Sequence, residues 1–111
     1  MKLYGIKQCD TCRKALKFLD GQGVSYEFVD LRETPVRNDQ LESWFAELGA
    51  DKLINRRSTS WRQLASGEQE QVMNGDLTLL AANVTLIKRP LVDWGKELSV
   101  GFSEAQWRER L

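Results

Sequence analysis

The chain has 111 residues, 41% of them hydrophobic, so it is long enough for one compact domain and too short for two. Its 16 basic and 16 acidic residues give a formal net charge of zero, which excludes the strong positive charge of a typical nucleic-acid-binding protein. There is no histidine, and this excludes Cys-His dyads, Ser-His-Asp triads and histidine metal sites.

The N-terminal residues lack the long apolar segment of a signal peptide, and no stretch approaches the roughly 18 apolar residues of a membrane span. We therefore expect a cytoplasmic protein with no membrane partner and no direct nucleic-acid partner. In that compartment a cysteine pair is more often catalytic or redox-sensing than a structural disulfide.

The first part of the chain predicts a βαβ unit. Residues 2–6 form an apolar run typical of a strand, and the apolar residues of 11–19 have helical spacing up to a glycine-containing stop at 20–23. Residues 24–29 alternate between apolar and polar side chains, which predicts a second strand parallel to the first.

A helical region and a hairpin are predicted next. Residues 39–49 show the apolar spacing of an amphipathic helix that stops at a glycine, and residues 51–85 are irregular to helical. Residues 86–93 return to strand character, and after a tight turn residues 97–102 form the predicted antiparallel partner strand. A capping box at 103–106 begins a final helix.

This order of elements predicts an α/β fold similar to thioredoxin and glutaredoxin, with a mixed four-stranded sheet and an inserted helical block. We expect a single domain over 1–111. Its thioredoxin-like parts are predicted at about 1–31 and 86–111, and the helical insertion at about 36–85.

Cys9 and Cys12 are the only cysteines, and they lie between the first predicted strand and the first predicted helix. The N-terminus of a helix favours an anion, so Cys9 is the candidate nucleophile, and the spacing allows Cys12 to form a disulfide with it. A zinc site needs about four ligands, so only an intermolecular site remains for a metal and none is predicted within the chain. In the other alternative, Cys9 and Cys12 have no redox role and are simply two small apolar residues near the start of a helix.

Four motifs resemble the arsenate reductase (ArsC) superfamily, specifically its branch of bacterial Spx-like and YffB-like proteins. They are LYGIKQCDTCRKA at 3–15, LINRRSTSWR at 53–62, LIKRP at 86–90 and VGF at 100–102. The similarity covers nearly the whole chain, and together the four motifs are specific. The resemblance implies the thioredoxin-like fold that the order of elements predicts independently.

The resemblance also assigns roles to individual residues. Cys9 matches the family's catalytic cysteine, Arg56 its first anion-binding arginine and Arg89 the second. Arginine keeps its charge and presents a planar fork of donors, so these three residues would form one positive pocket. Secondary candidates for substrate binding are Arg13, Arg57, Lys88 and Pro90, the last expected to be cis. The alternative for Arg56 and Arg57 is a solvated basic turn without a binding role. The alternative for Pro90 is a proline that simply begins a strand.

The resemblance implies a thiol-disulfide oxidoreductase that binds no cofactor, with glutathione as co-substrate or a glutaredoxin-type reductant. One alternative is a redox-sensing transcription regulator of the Spx kind that binds RNA polymerase through a surface around 44–51, where core packing explains Trp44 equally well. The other is a glutathione- or glutaredoxin-dependent arsenate reductase. Against the last, Gly101 occupies the position that we match to the third oxyanion-binding arginine, so arsenate turnover should be weak or absent.

Overall fold

The computed structural model describes residues 1–111, which divide into two compact units. The first, which we call the sheet unit, consists of Met1–Glu33 and Arg89–Leu111. The second, the helical unit, consists of Thr34–Lys88. The assignment of the whole chain to a single domain stays a prediction.

Four strands and seven α-helices follow one another along the chain. The strands are β1 (Lys2–Gly5), β2 (Glu27–Asp30), β3 (Leu91–Asp93) and β4 (Leu98–Val100). The helices are α1 (Asp10–Gly21), α2 (Asn38–Leu48), α3 (Ala50–Leu53), α4 (Thr59–Gln63), α5 (Ser66–Met73), α6 (Leu77–Ala82) and α7 (Glu104–Arg110), and a 3₁₀ helix spans Val84–Leu86. No helix is both long enough and apolar enough to cross a membrane.

The sheet has the strand order β2-β1-β3-β4. β1 and β2 are parallel, with Leu3 opposite Phe28, because α1 connects them as a crossover. β3 is antiparallel to β1, with Val92 opposite Leu3, and β4 is antiparallel to β3, with Ser99 opposite Val92. This topology confirms the predicted thioredoxin/glutaredoxin-like mixed sheet of four strands with an inserted helical block.

The core of the sheet unit holds α1 in place. Leu3 and Val92 from neighbouring strands, Ala15 and Leu19 from α1, and Trp107 from α7 form one buried cluster. Ala15 and Leu19 are four residues apart and therefore share a face of the helix. Burial of a leucine or valine side chain stabilises a fold by about 1.5–3 kcal/mol relative to exposure. This packing fixes the helix that begins directly after Cys9.

The helical unit has its own buried residues. Leu41 and Trp44 of α2 are buried, with Trp44 only 3% exposed. Core packing therefore accounts for Trp44, which is not part of an exposed docking surface. An isolated β-bridge joins Ile54 to Ile87, and the backbone N–H of Lys88 donates to the Leu53 carbonyl at 2.8 Å.

Two predicted strands are wrong in their boundaries. The strand predicted at 86–93 is confined to β3, because residues 86–88 use their backbone groups in the 3₁₀ helix and in bonds to residues 53–55, and Pro90 has no N–H to donate to a sheet. The strand predicted at 24–29 begins three residues later, at Glu27. The alternation of apolar residues correctly indicated that Val24 and Tyr26 pack against the core. Both residues, however, precede the part of the chain that pairs with β1, which begins at Glu27.

Candidate active site

Cys9 is the N-cap residue of α1. After β1 the chain turns back on itself, and the Cys9 N–H donates to the Ile6 carbonyl at 3.0 Å. The Cys9 carbonyl accepts the first helical bond from the Arg13 N–H, also at 3.0 Å, while the Cys9 backbone remains extended. This is the usual N-cap arrangement, and it places the half-buried thiol beside the unpaired N–H groups of the first turn.

The pKa of the Cys9 thiol is lowered. Partial burial on its own raises this pKa, but the backbone N–H and the thiol of Cys12, together with the guanidinium of Arg89, stabilise the thiolate and outweigh the burial. As a thiol, the Cys9 side chain makes no capping hydrogen bond. The Cys12 groups and the Arg89 guanidinium therefore favour the charged form, the thiolate. Cys9 is therefore the more acidic of the two thiols.

Cys12 has the opposite character. Its side chain has no solvent exposure, and burial raises the pKa of Cys12 to about 11, with the charge of the neighbouring Cys9 thiolate acting in the same direction. Both cysteines are free thiols. An acidic, half-buried thiol next to a protonated, buried one is suited to attack by the first, Cys9, and resolution by the second, Cys12.

Gly5 provides the space that the Cys12 sulfur occupies. A β-carbon built on Gly5 would lie 2.6 Å from Cys12 Sγ, closer than any real contact of this kind. A glycine inside a strand indicates close approach of another group, although the sequence does not show which group it is. Gly5 thus limits where the second thiol can lie.

We expect Gly5→Ala to destabilise the protein by about 1–3 kcal/mol, since the added methyl overpacks a buried site. The same change should displace Cys12 Sγ and slow formation of the Cys9–Cys12 disulfide. Urea unfolding and the rate of disulfide formation under a glutathione redox buffer measure the two effects. Gly21→Ala is the matched control, because a β-carbon there meets nothing within 4 Å. Equal stability of the two variants would contradict the prediction.

Arg89 and Pro90 lie immediately before β3, and the peptide bond between them is cis. The Pro90 carbonyl accepts a hydrogen bond from the Gly101 N–H at 2.9 Å. Gly101 has a φ of +82°, a conformation that glycine adopts without steric cost and that strains an arginine. The position matched to a third arginine is therefore one where the backbone itself favours glycine.

The other predicted site residues have the following places. In the sheet unit, exposed Arg13 donates from Nε to the Lys7 carbonyl at 3.0 Å. In the helical unit, exposed Arg56 pairs with Asp51 at 3.7 Å, and Lys88 Nζ donates to the Asp51 carbonyl at 3.0 Å. Arg57 is also exposed.

The structure brings together three of the predicted site residues, Cys9, Cys12 and Arg89, all within the sheet unit. Arg56, Arg57 and Lys88 belong to the helical unit, and their part in the predicted pocket stays a prediction. No group of three or more cysteine, aspartate or glutamate side chains has the arrangement of a metal site.

Comparison with known proteins gives matches along nearly the full chain. A profile described as the ArsC family matches residues 4–110. An uncharacterized protein of Haemophilus influenzae is 38% identical over 111 residues, which cover 96% of this chain and 94% of that protein. The solved structure of the YffB protein is 33% identical with a TM-score of 0.89, covering 97% of this chain and 96% of that one. The global transcriptional regulator Spx of Streptococcus pyogenes is 30% identical over 102 residues, which cover 90% of this chain and 76% of that protein.

Proposed function

The chain belongs to the ArsC family, as its motifs predicted, and from that premise we propose that it is a thiol-disulfide oxidoreductase with Cys9 as its nucleophile. The observation that carries the proposal is the stabilised Cys9 thiolate at the start of α1, beside Arg89 and a buried second thiol. Only the thiolate attacks disulfides, so a lowered pKa raises the reactive fraction at neutral pH.

In the proposed reaction the Cys9 thiolate attacks one sulfur of a substrate disulfide. A mixed disulfide forms, the substrate S–S bond breaks, and the departing thiolate takes a proton from water. The Cys12 sulfur then attacks Cys9, the intramolecular disulfide forms, and the second substrate thiol leaves with the proton that Cys12 loses. The substrate gains two electrons and the protein loses them; two thiols of a reductant return the protein to its dithiol form.

The proposed substrate class is a glutathione mixed disulfide, and glutathione or a glutaredoxin-type protein is the proposed reductant. Glutathione carries two carboxylates, and an arginine guanidinium binds a carboxylate through charge-assisted hydrogen bonds. Arg89 is the arginine that already acts on Cys9. Arsenate is the less suitable substrate, because the backbone at Gly101 disfavours the additional arginine that an oxyanion would need.

We expect Arg89→Ala to raise the Cys9 pKa, because the charge and the hydrogen bond that favour the thiolate are lost. The measurement is the pH dependence of Cys9 alkylation by iodoacetamide, read by mass spectrometry so that Cys9 and Cys12 are distinguished. Wild-type Cys9 should titrate below the usual range of a cysteine thiol.

Arg108→Ala is the control for this prediction. It removes the same charge from the sheet unit, where Arg108 pairs with Glu104 of α7 at 2.5 Å. Its Cys9 pKa should equal that of the wild type. A wild-type Cys9 that titrates like an ordinary thiol would overturn the proposed function.

The similarity to Spx favours a second candidate, a redox-dependent regulator whose Cys9–Cys12 disulfide changes a surface that binds RNA polymerase. This function needs no turnover. Purified RNA polymerase should then be retained by the oxidised protein and released by the reduced one, with Cys12→Ser behaving as the reduced form. Equal retention in both redox states, or none, would exclude this candidate.

A further inference from the structure

Asp30, at the end of β2, is nearly buried, with 7% of its surface exposed. Its Oδ2 accepts the Lys7 backbone N–H at 3.0 Å. Its Oδ1 accepts the backbone N–H groups of Arg32 at 2.8 Å and Glu33 at 3.3 Å. One carboxylate therefore joins the turn after β2 to the segment Lys7-Gln8 immediately before Cys9, two residues from the nucleophile.

Exposed side chains lie across the same two segments. Lys7 Nζ pairs with Glu33 at 3.0 Å, and Arg32 Nη1 donates to the Gln8 amide oxygen at 3.2 Å. Exposed contacts of this kind contribute little to stability individually. The Asp30 bond to the Lys7 N–H differs because its acceptor belongs to a buried carboxylate, and a buried polar group that loses a partner is costly.

We propose that Asp30 is a positioning residue for Cys9: by holding the Lys7 N–H it fixes the loop that places the Cys9 sulfur beside Arg89 and the first turn of α1. The inference rests on the proposed function, since it explains how the reactive geometry of that site is maintained. The loop 6–9 is short, so a shift at Lys7 passes directly to Cys9.

The direction in which the Cys9 pKa changes distinguishes a positioning role of Asp30 from a purely electrostatic one. Asp30 is an anion, and removing a negative charge near a thiol favours the thiolate and lowers the thiol pKa. Loss of positioning instead weakens the contacts with Arg89 and with the Cys12 backbone N–H, and so raises the Cys9 pKa. The other charged side chains on the two segments are those of Lys7, Arg32 and Glu33. A substitution at Asp30 does not alter the charge of any of them.

Asp30→Asn tests the inference in the full-length protein. The amide keeps an acceptor for one segment but presents an NH₂ group to the other, so one of the two anchors is lost. Asp20→Asn is the matched control with the same change of charge; Asp20 accepts the Tyr26 hydroxyl at 2.8 Å and lies near the end of α1, about 15 Å along the helix from its start.

The measurements are the pH dependence of Cys9 alkylation and the hydrogen exchange of the Lys7 amide. We expect Asp30→Asn to raise the Cys9 pKa by about one unit and to speed exchange at Lys7, while Asp20→Asn changes neither. A folded Asp30→Asn protein with an unchanged or lowered Cys9 pKa would overturn the inference and leave the proposed function intact. An ordinary Cys9 pKa in the wild type would overturn both.

Asp30→Glu is the second variant and is used if Asp30→Asn does not fold. It keeps the charge and moves the carboxylate by one methylene, so a change in the Cys9 pKa can come only from altered geometry. A raised Cys9 pKa supports positioning by Asp30, and a wild-type value in this variant overturns it.

Discussion

Cys9→Ser is expected to lose thiol-disulfide exchange by roughly a thousandfold or more, since a serine hydroxyl stays protonated at neutral pH and cannot replace a thiolate. Cys12→Ser should still form the mixed disulfide and lose only the resolving step. The measurement is the single-turnover reaction of each purified variant with a glutathione mixed disulfide of a cysteine peptide, followed by mass spectrometry.

The two single variants serve as controls for each other, because each removes one sulfur from the same turn. Cys12→Ser should accumulate a stable adduct with the substrate thiol at Cys9. Cys9→Ser should form no adduct at Cys12, which is buried and has a pKa of about 11. If Cys9→Ser reacts at Cys12 as fast as the wild type reacts, the nucleophile is Cys12 and the assignment to Cys9 is wrong.

The pH dependence of the first step follows from the direction of the Cys9 shift. Because the Cys9 pKa is lowered, the thiolate persists below the usual thiol range and the rate falls only as the pH drops through the lowered value. Cys12 stays protonated up to about pH 11, so it contributes no second rise near neutrality.

The candidate nucleophile could be predicted from sequence because its chemistry is local. A cysteine directly after an apolar strand and directly before helical spacing lies at a helix N-terminus in almost any α/β fold. The parallel pairing of the first two strands and the antiparallel pairing of the last two were also accessible, since a βαβ unit and a terminal hairpin each fix the direction of their strands. Arg89 was found only through the resemblance, because it is 80 residues from Cys9 in the chain.

Asp30 and Gly5 escaped prediction for a different reason. Asp30 acts through backbone N–H groups of residues 7, 32 and 33, and backbone donors leave no trace in a sequence pattern. The role of Gly5 depends on the position of Cys12 Sγ in three dimensions. The predicted strand at 86–93 failed because apolar residues at 86 and 87 are buried in the helical unit, and burial alone does not distinguish a strand from other buried backbone.

Trp107 of α7 lies at the centre of an aromatic cluster in the sheet unit. Its ring is 4.8 Å from Phe102 and 5.3 Å from Trp94, both edge-on, measured between centroids. Phe18 of α1 contacts the same ring at 6.4 Å. Edge-to-face pairs add about 0.5–1.5 kcal/mol each beyond the apolar area that they bury. The cluster thus connects α7 with α1, the helix that begins directly after Cys9.

Trp107→Ala is expected to lower the free energy of unfolding by about 3–5 kcal/mol, since a 2%-exposed indole is replaced by a cavity. That is a large part of the roughly 5–15 kcal/mol that stabilises a typical domain. Urea unfolding followed by far-ultraviolet circular dichroism measures the loss. Trp61→Ala, at a partly exposed tryptophan of the helical unit, is the matched control and should lose less than half as much. Equal losses would show that the aromatic cluster is not the main source of stability in the sheet unit.

Trp107→Ala should also raise the Cys9 pKa when it is measured in sub-denaturing urea. The aromatic cluster holds α1, and without it the N-terminus of α1 is no longer fixed in position relative to Arg89.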